Sequence, residues 1–201
     1  NLQPIVMVCV KYFDDGTQSG EGNENISPSD VVPIFESFNS AEGIFYYLQQ
    51  VYTRSEDPET TFKYIQAAVK ANQYNEVEKV VRESSNYDPE KVRDFLKESK
   101  LPDQLPLIIV CDRFDFVGDL TRFLYKNNMS KYIEAYVQQI NPTNTPLVVG
   151  ALLDVDCPED YIKNLLVAVR ALCPPEQLIE EVSKRNRTKL IQPWIEARIN
   201  E

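Results

Sequence analysis

Three stretches of this chain begin with asparagine and then place apolar residues at the same distances. They are Asn72-Gln73-Tyr74-Asn75-Glu76-Val77-Glu78-Lys79-Val80-Val81, Asn128-Met129-Ser130-Lys131-Tyr132-Ile133-Glu134-Ala135-Tyr136-Val137 and Asn186-Arg187-Thr188-Lys189-Leu190-Ile191-Gln192-Pro193-Trp194-Ile195. Each follows shortly after a basic residue, Lys70, Lys126 or Arg185. An apolar residue lies five positions on, valine or an aromatic eight on, and valine or isoleucine nine on. The offsets, 56 and 58 residues, are twice a shorter step. At the half-step Leu105, Ile108 and Ile109 take the places of Val77, Val80 and Val81.

A unit of about 28–30 residues holds two short helices and two turns. A hairpin that small cannot hide its own apolar face, and stacking on the next hairpin completes the core. The pattern therefore predicts an all-α fold: a right-handed α-solenoid of stacked helical hairpins, with about thirteen short helices of roughly 10–15 residues and brief connections. Asparagine at the repeated junction suits a left-handed (αL) turn that ends one helix and starts the next, because its short polar side chain tolerates that backbone.

Local signals agree. Asp57-Pro58-Glu59 and Asp88-Pro89-Glu90 each order an N-cap, an N1 proline and an early acid. Cys157-Pro158-Glu159 and Pro175-Glu176 open two further helices. Apolar stripes at helical spacing are Phe62/Ile65/Val69 with Ala68, Val77/Val80/Val81, Val92/Phe95/Leu96, Leu120/Phe123/Leu124 and Ile133/Val137/Ile140. Leu147-Val148-Val149 continues into Gly150-Ala151-Leu152-Leu153 without alternation, so it reads as a buried helix and not a strand. Residues 14 to about 29, DDGTQSGEGNENISPS, carry almost no apolar side chain and are expected to form a flexible surface loop. Otherwise residues 1–201 read as one solenoid segment. The start, Asn1-Leu2-Gln3-Pro4, has neither an initiator Met nor a basic leader, and reads as a cut from a longer chain.

Composition narrows the chemistry. Histidine is absent, which removes the usual general base, the Ser-His and Cys-His pairs and the commonest zinc ligand. The net charge of −10 disfavours nucleic acid and anionic membrane surfaces. No apolar run approaches a membrane span. Cys9, Cys111, Cys157 and Cys173 form no C-x-x-C pair, and Cys111 after Leu107-Ile108-Ile109-Val110 reads as a core residue in a reduced compartment. The N-x-S/T matches at Asn25, Asn128 and Asn186 read as chance. Gly16, Gly20 and Gly22 do not follow a strand and make no phosphate loop. Asp154-x-Asp156 lacks the glycine and bidentate glutamate of a calcium loop and reads as a helix end.

Two charged clusters remain. Asp112-Arg113-Phe114-Asp115-Phe116 reads as a helix end, with Arg113 paired to an acid and both phenylalanines buried. Lys184-Arg185-Asn186-Arg187-Thr188-Lys189 is the one positive cluster and reads as a solvated helix–helix turn, or alternatively as a contact with an acidic neighbour. No catalytic, cofactor-binding or metal-ligating residue emerges, no cofactor is implied, and no partner-binding residue is identified.

The helix pairs resemble the repeats of the clathrin heavy-chain family. Asp103-Gln104-Leu105-Pro106-Leu107-Ile108-Ile109-Val110-Cys111-Asp112-Arg113-Phe114-Asp115-Phe116-Val117 is very similar to that family. So are Phe62-Lys63-Tyr64-Ile65-Gln66-Ala67-Ala68, Tyr87-Asp88-Pro89-Glu90, Leu152-Leu153-Asp154-Val155-Asp156-Cys157 and Pro193-Trp194-Ile195-Glu196-Ala197-Arg198-Ile199. The resemblance covers nearly the whole chain. It departs at residues 14–29, where this loop is longer than in animal members. It implies a non-catalytic distal-leg segment, a strut of the polyhedral coat that forms vesicles for endocytosis and intracellular protein transport. Implied partners are other heavy-chain legs. Light chains, adaptors and an uncoating co-chaperone bind the assembly, mostly outside this segment. The implied location is cytoplasmic, peripheral on coated pits and vesicles at the plasma membrane and trans-Golgi network. Rival readings are an α-solenoid subunit of a membrane-tethering complex, a peptide-binding helical-repeat scaffold of the tetratricopeptide kind, and an enzyme.

Overall fold

The computed structural model describes residues 28–37 and 40–199. Among them lie twelve α-helices and no strand, the fold class expected. The helices are α1 (Pro28–Ser37), α2 (Ala41–Tyr52), α3 (Pro58–Lys70), α4 (Tyr74–Glu83), α5 (Pro89–Glu98), α6 (Leu105–Arg113), α7 (Val117–Lys126), α8 (Ser130–Ala135), α9 (Thr145–Asp154), α10 (Glu159–Val169), α11 (Pro175–Ser183) and α12 (Thr188–Ile199). A π turn, Tyr136–Ile140, continues α8, and 3-10 turns span Pro142–Asn144 and Arg170–Leu172. Of the loop expected at 14–29, only Pro28 and Ser29 fall within the described residues, and they open α1.

The repeat is written in the backbone. Asn72, Asn128 and Asn186 all adopt the αL conformation, with φ of 57°, 58° and 56°. Lys100 (φ 46°) and Asp156 (φ 52°) do the same at the intervening junctions. Positions 72, 100, 128, 156 and 186 are spaced 28, 28, 28 and 30 apart, so each hairpin turns at one αL residue. Four of these junctions close with the same bond pair. Gln73 N–H donates to Ala68 O at 2.8 Å and Asn72 N–H to Val69 O at 3.1 Å, and equivalent pairs end α7, α9 and α11. This is the Schellman arrangement, which satisfies the last carbonyls of a helix.

The N-caps form as the sequence predicts. Asp57 accepts from the amides of Glu59 and Thr60, and Asp88 from those of Glu90 and Lys91. Their side chains satisfy amides that have no partner inside the helix.

The chain divides into two compact units, Asn1–Pro106 and Leu107–Glu201. In the first, α1 packs on α2, α2 on α3 and α3 on α4. Its centre is Tyr64, 1% exposed, stacked on Phe45 at 5.6 Å and Tyr52 at 5.0 Å. The α3 stripe differs from expectation. The buried face is Thr61, Tyr64, Ile65 and Ala68, while Phe62 and Val69 are only half-buried. Ala67 and Ala68 are buried with Tyr64, and Phe62 instead meets Phe95 edge to face at 5.8 Å.

Thr61 is fully buried, and its hydroxyl has no hydrogen-bond partner among the described residues. Desolvating an unpaired hydroxyl is costly. Thr61→Val is therefore expected to raise stability by about 1 kcal/mol, read as a higher urea midpoint at unchanged slope. A loss of stability would show that the hydroxyl is satisfied.

In the second unit α7, α9 and α11 pack in succession on one side, and α10 meets α12 on the other. Helix α9 is buried on nearly every face, from Thr145 to Leu152, as its uninterrupted apolar run predicts. Three expectations need correction here. Ile140 is 42% exposed although Ile133 and Val137 are buried. The π turn widens the helix after Ala135, so a 3.6-residue count no longer returns Ile140 to the inner face. Phe114 and Phe116 are half-buried rather than buried, because α6 ends at Arg113 and the αL residue Asp115 (φ 60°) turns the chain between them.

Candidate functional site

Polar side chains in the second unit concentrate where one repeat meets the next. The basic turn 184–189 is such a place. Arg185 on the end of α11 holds Asp154 at the end of α9 with two parallel bonds, Nε–Oδ1 at 2.6 Å and Nη2–Oδ2 at 2.9 Å. Its Nη1 also donates to Glu181 Oε2 at 2.8 Å. Arg122 of α7 approaches the same Asp154 at 3.8 Å. Arg187 reaches Glu159 Oε1 at 3.2 Å, and Lys184 reaches Glu180 and Glu181 at 3.0 Å each. The turn is exposed at every position but Arg185, as a solvated turn requires, and the acids that meet Lys184, Arg185 and Arg187 come from its own chain.

A bidentate guanidinium–carboxylate pair is the strongest form of surface ion pair. The hydrogen bonds from Arg185 hold the Asp154 carboxyl below its ordinary value. Desolvation pushes Glu181 up, but bonds from Lys184 and Arg185 outweigh it and leave that carboxyl low. Both shifts favour the folded state above the ordinary carboxylate range, and the contribution is lost as acidification passes through the depressed folded values.

Gly150 explains how the cluster lies flat on α9. A Cβ there would sit 2.7 Å from Glu181 Oε2 and 2.9 Å from Arg185 Nη1. Glycine inside a helix costs about 0.5–1 kcal/mol relative to alanine, so the close approach accounts for it. Gly150→Ala should lower thermal stability in the wild-type chain yet raise it by about 0.5–1 kcal/mol in an Arg185→Met background. Equal effects in the two backgrounds would show that the side chains do not couple.

A second cluster surrounds Asp112, the first residue of the charged pentad. Its Oδ1 accepts from Tyr136 Oη at 2.6 Å, Asn141 Nδ2 at 2.8 Å and Asn144 Nδ2 at 3.2 Å. Asn144 also donates to Tyr136 Oη at 2.8 Å. Burial, with the carboxylate beside it, pushes the Tyr136 hydroxyl well above its ordinary range. One carboxylate therefore ties α6 to the π turn and the 3-10 turn after it. Arg113 lies over the Phe114 ring at 5.5 Å.

At the end of the unit Arg198 donates to the carbonyls of Cys173 (2.9 Å) and Ala171 (3.0 Å), and Trp194 Nε1 donates to Leu166 O at 3.2 Å. Cys111, Cys157 and Cys173 are buried thiols, and burial raises Cys173 to about 12. Cys9 and Asn25 lie outside the described residues. Asn128 and Asn186 serve as αL turn residues. Among the described residues no group of three or more potential metal ligands occurs, and no helix is long and apolar enough to cross a membrane.

These features define a class, an α-helical repeat protein whose polar groups are spent on joining one hairpin to the next. The family follows from comparison. Residues 20–160 match the family model described as "Clathrin: Region in Clathrin and VPS". The chain is 59% identical over 201 residues to "Clathrin heavy chain" of Dictyostelium discoideum and 53% identical over 201 residues to that of Drosophila melanogaster. It is 53% identical over 202 residues to "Clathrin heavy chain 2" of Homo sapiens. All of this chain is matched in each case, against 11%, 11% and 12% of the relatives' own lengths. The chain belongs to the clathrin heavy-chain family.

Proposed function

We propose that this chain is a continuous leg segment of a clathrin coat, a right-handed solenoid strut with no catalytic role. The observation that carries the reading is identity of 48–59% spread along the chain to heavy chains from amoeba, animal, plant and fungal relatives. The repeat supports it physically. A strut needs stiffness, which hairpin-on-hairpin stacking supplies without a single large core. A coat must also come apart, so contacts between struts are many and individually weak. In this reading the segment lies along other heavy-chain legs in the lattice. Light chains, adaptors and the uncoating co-chaperone bind the assembly mostly elsewhere. The segment works in the cytoplasm, on coated pits and vesicles of the plasma membrane and trans-Golgi network, in endocytosis and intracellular protein transport.

The rival reading, a solenoid subunit of a membrane-tethering complex, shares the repeat class but does not account for identity at this level over the full length. A segment exchange tests the choice. The matched segment of the Dictyostelium heavy chain is replaced by this chain in cells lacking their own heavy chain. Restored fluid uptake and coat assembly from purified chimaera are expected. A folded chimaera that trimerises but assembles no coats would sink the proposal.

A further inference from the structure

The basic turn between α11 and α12 carries a hydroxyl that the packing does not use. Lys184, Arg185, Arg187 and Lys189 put four cations into six residues of a chain whose net charge is −10. Thr188 stands among them as the first residue of α12, a helix of twelve residues. Its side chain is exposed, and neither its hydroxyl nor the Lys189 ammonium has a bonding partner among the described residues. Arg187 is lightly held. One bond, from Nη1 to Glu159 Oε1 at 3.2 Å, restrains a side chain that is 53% exposed. Arg185 is tied to both Asp154 and Glu181.

The repeat shows that stacking does not require this arrangement. Counted from the αL residues Asn72, Lys100, Asn128, Asp156 and Asn186, the place of Thr188 is filled by Tyr74, Pro102, Ser130 and Pro158 in the other hairpins. Ser130 is the only other aliphatic hydroxyl among them. It has Asn127 three positions before it and Met129 directly before it, where Thr188 has Arg185 and Arg187. Pro158 is exposed and Ser130 partly so, although a further hairpin follows each of them. In the second unit this position therefore stays open to solvent along the stack.

We infer that Thr188 is a phosphorylation site for a protein kinase whose acidic substrate groove selects an arginine three residues before the acceptor. Charge patterns of this kind are how kinases discriminate among substrates. In the transfer, Thr188 Oγ1 attacks the γ-phosphorus of ATP, the bond from that phosphorus to the β–γ bridging oxygen breaks, ADP leaves, and the hydroxyl proton passes to a base of the kinase. The product adds about two negative charges at the start of α12, where the first amides of the helix favour an anion, beside the unpaired Lys189. Arg187, with its single bond, turns from Glu159 to the phosphate, which accepts two parallel bonds from a guanidinium. That unfastens the start of α10 from the turn after α11, so the modification acts as a switch on the joint between two hairpins. Helix ends open more readily than helix centres, but Arg185 has to leave Asp154 before a kinase can read it.

The test incubates the folded 201-residue chain with ATP and an arginine-directed kinase, cyclic-AMP-dependent protein kinase, and maps the phosphate by mass spectrometry. Phosphate is expected on Thr188 and should be lost in Thr188→Val. Ser85 serves as an internal control, since Arg82 lies three residues before it but the acidic Glu83 falls between them. Two variants that break the same ion pair should act in opposite directions. Arg185→Ala removes the cation that is read and should slow phosphorylation by about tenfold or more, the scale of one charge-assisted contact. Asp154→Asn frees that cation and should speed phosphorylation several-fold. Hydrogen exchange in the first turn of α10 should quicken once Thr188 is phosphorylated. No phosphate on Thr188 of the folded chain, preference for Ser85, or faster phosphorylation of Arg185→Ala than of wild type overturns the inference. Unchanged exchange in α10 of the phosphorylated chain overturns the switch.

Discussion

Leu152→Ala is expected to cost about 3 kcal/mol, the larger of the two strongest effects foreseen for this chain. Leu152 is fully buried on α9, which packs on both α7 and α11. Truncation there removes apolar surface from contact with two neighbouring helices at once. It also leaves a cavity that cannot collapse, because α9 is hemmed in on nearly every face. In a stack where each hairpin leans only on its neighbours, the damage stays local. Hydrogen exchange should quicken most in α7, α9 and α11. A urea-unfolding loss below about 1 kcal/mol would mean that α9 is not the centre of its unit.

Asp112→Ala is expected to cost about 2 kcal/mol, because it strands three donors rather than one. Tyr136, Asn141 and Asn144 all point at the same oxygen. Bonds to a charged acceptor contribute more than neutral ones, and the partly buried donors left behind lose most of that. Asp112→Asn keeps an acceptor without the charge and should cost about half as much. Tyr136→Phe should cost about 1 kcal/mol, and the double variant less than the sum of the two singles. Strict additivity in thermal unfolding would show that the hydroxyl and the carboxylate do not act together.

Much of the fold was legible because its signals are local. Asn72, Asn128 and Asn186 announce αL turns by residue type, and Asp57 and Asp88 announce helix starts by the proline and acid that follow. Lys100 and Arg170 hold positive φ with no such signal, since neither residue type favours it. Their conformation is imposed by the helices on either side. The π turn was hidden for a related reason. A stripe counted at 3.6 residues per turn carries no mark of one wider turn, and only the exposure of Ile140 reveals it.

The polar clusters were the least legible part. The pentad at 112–116 was visible as a dense run of charge, but the partners of Asp112 lie 24 to 32 residues away. The acids that hold Arg185 and Arg187 lie 31 and 28 residues upstream. Those separations are close to one repeat. The period of the sequence could have singled out candidate pairs, although not which of them would meet.

The αL junctions also bear on how such a chain yields to force. Among the described residues, no glycine occupies these bends, so each carries a Cβ in a conformation that glycine would adopt more freely. When the ends are pulled apart, every bend that opens gives up that conformation as well as the packing behind it. The bends are not equal: asparagine tolerates its posture, whereas lysine does not. Under tension the link at Lys100 should slip before those at Asn72, Asn128 and Asn186, giving a graded extension in place of a single break.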